Sequence, residues 1–175
     1  HRDPAYLSQL IAQQGVTTLH FVPSMLSAFV AGAVASQCES LRLVFCSGEA
    51  LPPATAAAFR EISSAHLHNL YGPTEAAIDV TAWTCSRDER GACVPIGRPI
   101  SNIRIYVLDN RGQPAPVGVP GEICIAGVGV GRGYLNRPEL TAQRFVPDPF
   151  AVPGAHGARS GARLYRTGDM GRYLN

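Results

Sequence analysis

Over residues 1–90 the apolar positions switch repeatedly between a helical and an extended period. Leu7, Leu10 and Ile11 recur at helical spacing behind Asp3-Pro4, a capping residue followed by a proline at the first helical position, and Gly15 ends the run. Residues 16–21 are apolar and rich in β-branched side chains, which predicts a strand. Pro23 then restarts a helix carrying Leu26, Phe29, Val30 and Val34 on one side. Residues 41–46 form the next buried strand, and Ser47-Gly48-Glu49 turns out of it. Pro52-Pro53 opens a third helix that runs through Phe59 and Ile62, and residues 66–70 make a short apolar strand broken by Gly72-Pro73. Helices alternating with buried strands predict the α/β class, with a mostly parallel, helix-covered sheet.

The pattern changes near residues 85–95. Arg87, Asp88, Glu89 and Arg90 mark a charged loop, and beyond Val94 glycine and proline become frequent while helical periods become scarce. Ile103, Ile105 and Val107 alternate with other residues, Asp109-Asn110-Arg111-Gly112 gives a turn, and Pro120-Gly121 gives another before a strand over 122–126. A short helix is expected over 138–145, a surface loop over 147–161, and a strand over 164–166 leading into Thr167-Gly168-Asp169. The expected division is therefore an α/β portion, 1–90, and an antiparallel β-rich portion, 91–175, in the manner of a distorted barrel.

Composition narrows the chemistry. A net charge of +2, scattered along the chain, argues against a nucleic-acid or membrane surface. No apolar run reaches membrane-spanning length, and the first residues have no signal-peptide pattern. All 15 basic residues are arginines, so a Walker P-loop and lysine Schiff-base chemistry are excluded within this segment. Cysteines 38, 46, 85, 93 and 124 form no C-x-x-C pair and the histidines are not spaced to complete a zinc site. Cys46 and Cys124 lie in apolar runs as small core residues, and a reduced, cytoplasmic setting fits best. The run Gly127, Gly129, Gly131, Gly133 departs from G-x-G-x-x-G because Arg132 occupies the third glycine's place, so a tight strand-to-strand passage is expected there.

The densest chemistry lies in Asn69-Leu70-Tyr71-Gly72-Pro73-Thr74-Glu75. A strand end followed by a tight turn is where ligands bind in open α/β sheets. An amide, a ring, a hydroxyl and a carboxylate together suit a nucleotide and its metal ion. This stretch resembles the adenine-and-phosphate motif of nonribosomal peptide synthetase adenylation domains. Gly121-Glu122-Ile123-Cys124-Ile125-Ala126-Gly127, continuing to Arg132-Gly133-Tyr134-Leu135, resembles their next motif, and Tyr165-Arg166-Thr167-Gly168-Asp169 the one after. Order and separations match as well. The superfamily of adenylate-forming enzymes also includes acyl-CoA synthetases and luciferases. Val94-Pro95-Ile96-Gly97-Arg98-Pro99 brings the chain closer to the amino-acid-activating branch. Alternative readings are an acyl- or aryl-CoA synthetase fragment and a nucleotide-binding module without catalysis.

The resemblance implies part of the large N-terminal subdomain of such an enzyme and a reaction in two steps. An amino-acid carboxylate attacks the α-phosphate of ATP, and the acyl group then passes to a phosphopantetheine thiol on a carrier domain. It implies that Asn69 bonds the adenine amino group, that Tyr71 packs on the ring, and that Gly48, Glu49 and Ala50 form a backbone floor beside it. Gly72 and Thr74 belong to the nucleotide site, with Thr74 at the α-phosphate, Glu75 on Mg2+, and Asp169 on the ribose hydroxyls. Thr74 and Glu75 are the catalytic pair, and 121–135 is assigned a structural role. Offsets from the same motifs imply a substrate pocket of His20, Phe45, Ser47, Leu70, Ile78 and Asp79, a set similar to the serine-activating signature. Polar groups in an otherwise apolar pocket suit a small hydroxylated side chain, with threonine the near miss. Implied partners are the carrier and condensation domains of the same synthetase and a small MbtH-like activator protein. The family's phosphate loop is expected before His1 and its small C-terminal domain, with the catalytic lysine, after Asn175. On this reading the chain is an internal fragment, inactive by itself.

Overall fold

The structure is a computed structural model that describes residues 3–86, 91–151 and 162–174. The charged loop expected at Arg87, Asp88, Glu89 and Arg90, and the 152–161 part of the expected surface loop, lie outside the described residues. The chain divides into two compact units, His1–Tyr71 with Thr81–Arg98, and Gly72–Val80 with Pro99–Asn175.

The first unit begins with helix α1 (Pro4–Gln14). Asp3 caps it, its Oδ1 accepting from the N–H groups of Ala5 at 3.0 Å and Tyr6 at 3.3 Å, and Gly15 ends it at φ 60°. Strand β1 (Thr18–Phe21), helix α2 (Pro23–Gly32), strand β2 (Leu43–Cys46), helix α3 (Pro53–Ile62) and strand β3 (His66–Tyr71) follow. Both later helices start at a proline, which costs nothing where the first N–H groups have no partner within the helix. Val34, expected on α2, falls beyond its end. A strand that the alternation did not signal, β4 (Thr81–Thr84), pairs antiparallel with β3, and the two-residue β5 (Arg98–Pro99) forms the edge of the sheet order β1-β2-β3-β4-β5.

β1, β2 and β3 are parallel and adjacent in chain order. Two right-handed crossovers running in one direction put both connecting helices on the same face. The core lies there: Ile11, Leu26, Phe29 and Phe59 of the helices are buried with Phe21, Val44, Cys46 and Leu67 of the strands. Complete burial of Phe59 contributes about 1.5–3 kcal/mol. The helical cover is thus on one face, and the other face of the sheet is left to carry a site.

In the second unit β6 (Ile103–Leu108), β7 (Gly121–Gly127), helix α4 (Pro138–Arg144), β8 (Phe145–Pro147) and β9 (Arg163–Gly171) form an antiparallel sheet in the order β6-β7-β9-β8. Asp109 builds the expected turn, its Oδ1 accepting from Arg111 N at 2.8 Å and Gln113 N at 2.9 Å. The expected barrel is corrected: among the described residues the four strands form an open sheet with β6 and β8 at its edges. Alternation reports faces, not closure. Leu108, Cys124, Ala126 and Leu164 make the core beneath it. Burial pushes the Cys46 thiol up to about 12 and that of Cys124 up to about 11, which makes both inert packing residues. No helix among the described residues is long and apolar enough to cross a membrane.

Candidate functional site

Register places three of the six expected pocket residues, His20, Phe45 and Leu70, on the face of the first unit's sheet opposite the helices. His20, Phe45 and His68 stand side by side across β1, β2 and β3, and Thr84 of β4 continues the row. Leu70 shares this face two residues beyond His68. The His20 Nε2 and Ser47 Oγ lie 2.8 Å apart in a hydrogen bond, so the residue just past β2 ties back to β1. Ser47 is buried, while His20 is exposed and Phe45 and Leu70 are half-buried. His68 was not anticipated as a neighbour. Its ring stacks on Phe45 at 5.2 Å and its Nδ1 meets Thr84 Oγ1 at 3.1 Å. Burial, then the charge of His66, holds its imidazole below the usual range. The signal that could have found it is the two-residue period shared with His20 and Phe45.

Asn69 sits on the opposite, helix-covered face, in the row Phe21, Cys46, Asn69. It is 3% exposed. Its Nδ2 donates to the Pro95 carbonyl at 2.8 Å, and its Oδ1, equally shielded, has no partner among the described residues. A carbonyl can only accept, so the nitrogen is fixed toward Pro95 and the oxygen is the orphan. Buried polar atoms are almost always satisfied. An unsatisfied acceptor at a strand end fits a ligand that brings an N–H, such as the amino group of adenine. Tyr71 lies two residues on, and Gly48, Glu49 and Ala50 follow β2. The Glu49 carboxylate is occupied at the start of α2, accepting from Ser24 N at 3.0 Å and Ser24 Oγ at 3.1 Å, which leaves only its backbone for the floor expected there.

In the second unit, Gly72 packs against its own turn, where an added Cβ would stand 2.8 Å from Val80 N. Thr74–Ala76 form a single helical turn, and Ala77 and Ile78 both take the left-handed conformation, at φ 63° and 76°. That is strained for a β-branched isoleucine, and strain of this kind gathers at functional sites. Ile78 is 63% exposed, and Asp79 Oδ1 is shielded without a partner among the described residues. Ile78 and Asp79, expected in the pocket, therefore belong to this turn and not to the row of the first unit.

Thr74 is exposed. Glu75 is held at both ends. Its carbonyl accepts from Gly131 N at 2.7 Å, and its Oε1 accepts from Tyr134 Oη at 2.6 Å. The Tyr134 hydroxyl is the main reason its carboxyl lies below the usual range, although burial pulls the other way, so it is ionised at neutral pH. An ionised carboxylate fits Mg2+. No group of three or more His, Cys, Asp and Glu side chains that could hold a metal is found among the described residues, so phosphate oxygens and water would complete the shell. The strand-to-strand passage expected at the glycine run is corrected: the run leads from β7 to α4, and it lies against this turn, where an added Cβ on Gly129 would stand 3.0 Å from Ala76 O, and one on Gly131 3.0 Å from Glu75 O. Tyr134 is the side chain on Glu75 that sequence reasoning missed, since the role assigned to 121–135 was structural.

The strand expected over 164–166 runs on through Thr167, Gly168 and Asp169 as β9, with an irregularity there in its pairing with β7. Thr167 Oγ1 donates to Ile123 O at 2.7 Å and accepts from Asp169 N at 2.9 Å, and Gly168 N donates to Glu122 Oε1 at 3.1 Å. The backbone around Asp169 is thereby fixed.

Comparison with known proteins places the chain in a family. The chain is 52% identical over 174 residues to phosphinothricin tripeptide synthetase PhsB of Streptomyces viridochromogenes and 47% identical over 183 residues to enterobactin synthase component F of Escherichia coli K12. These alignments take in 99% and 100% of the chain, which spans 14% of the length of each relative. The nonribosomal peptide synthetase FmoA3 superposes with a TM-score of 0.84 at 31% identity, over 99% of this chain and 18% of its own. The N-terminal subdomain of Klebsiella oxytoca NpsA, solved with 3-hydroxybenzoyl-AMSN, superposes with a TM-score of 0.82 at 27% identity, over 97% of this chain and 40% of its own. A family profile described as AMP-binding enzyme matches residues 1–135, and on that match the chain belongs to the AMP-binding enzyme family.

Proposed function

We propose that this chain is the segment of an amino-acid-activating adenylation domain that holds the side-chain pocket and the adenine, phosphate and ribose contacts, and that its substrate is L-serine. The parent protein would join serine to AMP at the expense of pyrophosphate and pass the seryl group to the phosphopantetheine thiol of a carrier domain, alongside condensation domains of the same synthetase and an MbtH-like activator. Asn69 offers its orphan acceptor to adenine, with Tyr71 and the backbone of Gly48, Glu49 and Ala50 beside it. Gly72 shapes the turn that presents Thr74 to the α-phosphate, and Asp169 receives the ribose hydroxyls. Glu75 would hold Mg2+, which neutralises charge on the phosphates when bound.

The observation that carries the serine reading is the His20–Ser47 hydrogen bond on the sheet face shared with Phe45 and Leu70. It sets a donor and acceptor pair among apolar walls, which favours a substrate hydroxyl that can join it and penalises one that lacks it. Ile78 and Asp79 enter this reading through the resemblance and through the strained turn with its orphan carboxylate oxygen. ATP–pyrophosphate exchange by the complete parent enzyme is expected to be fastest with serine across the proteinogenic amino acids and 3-hydroxybenzoate. Preference for an aliphatic or aromatic substrate, or for the benzoate, overturns it. Ser47→Ala should raise the KM for serine roughly 5- to 10-fold, the loss of about one hydrogen bond, and leave the KM for ATP unchanged. The isolated 175 residues are expected to show no exchange.

A further inference from the structure

Glu75 is held from the side by a segment that the motifs alone present as scaffold. The Tyr134 ring is fixed by its neighbours. It packs edge-to-face on Phe145 with centroids 5.4 Å apart, and Phe145 in turn lies 4.9 Å from Tyr165. The Arg163 guanidinium sits 5.6 Å above Phe145 and donates to the carbonyls of Gly131 at 2.7 Å and Arg132 at 2.6 Å. The backbone of Tyr134 is pinned as well, its N–H donating to Thr141 Oγ1 at 2.9 Å. Ring and backbone together leave the hydroxyl one place to be, 2.6 Å from Glu75 Oε1.

The protons can be counted. Tyr134 has one O–H, and the short contact to a carboxylate uses it. Tyr165, almost fully buried with its oxygen 3.3 Å from that of Tyr134, must then donate into this pair rather than receive from it. Two hydroxyls thus lead toward one carboxylate, and each donor in such a chain strengthens the next. The result is a carboxylate fixed at its backbone by Gly131 and at one oxygen by Tyr134. A monodentate metal ligand needs only its other oxygen. Fixing the first in advance removes rotational freedom that would otherwise be lost when the metal binds.

The geometry points to Tyr134 as a positioning residue for the metal-binding carboxylate, with Tyr165 as its support. Each of the three motifs contributes one member of this chain, Glu75, Tyr134 and Tyr165. The inference rests on the reading of Glu75 as the Mg2+ ligand, and the experiment separates the two.

Mn2+ binding to the complete parent enzyme is measured by electron paramagnetic resonance in the presence of a non-hydrolysable ATP analogue, and the Mg2+ dependence of exchange is measured alongside. Tyr134→Phe keeps the ring and removes only the hydroxyl. It is expected to raise the Mn2+ Kd and the half-saturating Mg2+ concentration about tenfold, as for loss of a hydrogen bond to a charged group. The KM for the amino acid should stay within about twofold, which a general loosening of the fold would not allow. Tyr165→Phe should give a smaller shift, roughly threefold, and reports on the same chain should Tyr134→Phe fail to fold. Combined with Glu75→Gln, Tyr134→Phe should add little further loss. If Glu75→Gln weakens Mn2+ binding while both tyrosine variants leave it unchanged, the positioning role is overturned and the metal reading stands. If Glu75→Gln itself leaves Mn2+ binding unchanged, the metal reading fails and this inference fails with it.

Discussion

Replacing ATP with purine riboside triphosphate, which lacks the 6-amino group, is expected to lower kcat/KM in the exchange reaction of the parent enzyme by a factor on the order of 10². The cause is the Asn69 amide. Its nitrogen is committed to Pro95 O at 2.8 Å, so the side chain cannot turn over to adapt, and its Oδ1 is left shielded and unpaired among the described residues. A buried acceptor without a partner costs about 1–3 kcal/mol, which corresponds to roughly 5- to 150-fold in binding or rate. Adenine removes that cost with its amino group and purine riboside does not. Inosine triphosphate should fare worse still, roughly 10³-fold below ATP, because its C6 carbonyl would set one acceptor against another. Asn69→Leu should reduce the discrimination among the three nucleotides to within a few fold, whatever it does to absolute rates. If the unaltered enzyme uses ATP and purine riboside triphosphate equally well, Asn69 does not contact the base, and its orphan oxygen requires another explanation.

The sequence made these elements legible where a local signal and the tertiary outcome agreed. Asp3-Pro4 and Gly15 bracket α1 as their capping chemistry demands, and the prolines at 23 and 53 open the next two helices. The polar corner at 69–75 was visible as a cluster of side chains, but its division was not. A chain that leaves one compact unit after Tyr71 and returns at Thr81 carries no mark of this in its hydrophobic pattern, because each side of the excursion satisfies its own local rules. β4 was missed for a related reason: Thr81, Ala82, Trp83 and Thr84 alternate too weakly to stand out, and the strand exists because β3 offers an edge to pair with. Sheet closure is likewise a long-range property, which is why a barrel was expected and an open sheet found. For the site, motif offsets pointed to His20, Phe45, Ser47 and Leu70, and register explains why His20, Phe45 and Leu70 share a face. Tyr134 escaped because a tyrosine beside glycines reads as packing, and only the fold reveals that its hydroxyl ends on a carboxylate 59 positions away in sequence.

Gly97→Ala is expected to lower the stability of the complete domain by about 2–5 kcal/mol, a large part of the 5–15 kcal/mol that holds most domains folded. Two costs add. Gly97 sits at φ 85°, a conformation that costs a residue with a Cβ about 1–2 kcal/mol. An added Cβ would also overlap the Ala82 carbonyl and stand 2.7 Å from Trp83 N, so backbone must move, at a further 1–3 kcal/mol or so. The backbone in question is the middle of β4, which pairs Trp83 with Asn69 and Ala82 with Leu70. The same loop is tied to this sheet by Thr81 Oγ1, donating to Ile96 O at 2.7 Å, and by Asn69 Nδ2 on Pro95 O. A displaced Gly97 therefore disturbs the amide proposed to read adenine, and the KM for ATP should rise together with the loss of stability. The control is Gly112→Ala, at φ 74° but with no atom within 4 Å of an added Cβ. It carries only the conformational cost. Thermal unfolding should show a midpoint lowered by roughly 10 °C for Gly97→Ala and by a few degrees for Gly112→Ala, with the KM for ATP unchanged in the latter. Equal, small shifts for the two variants would mean that β4 yields to the extra methyl, and that the 94–97 segment does not hold Asn69 in place.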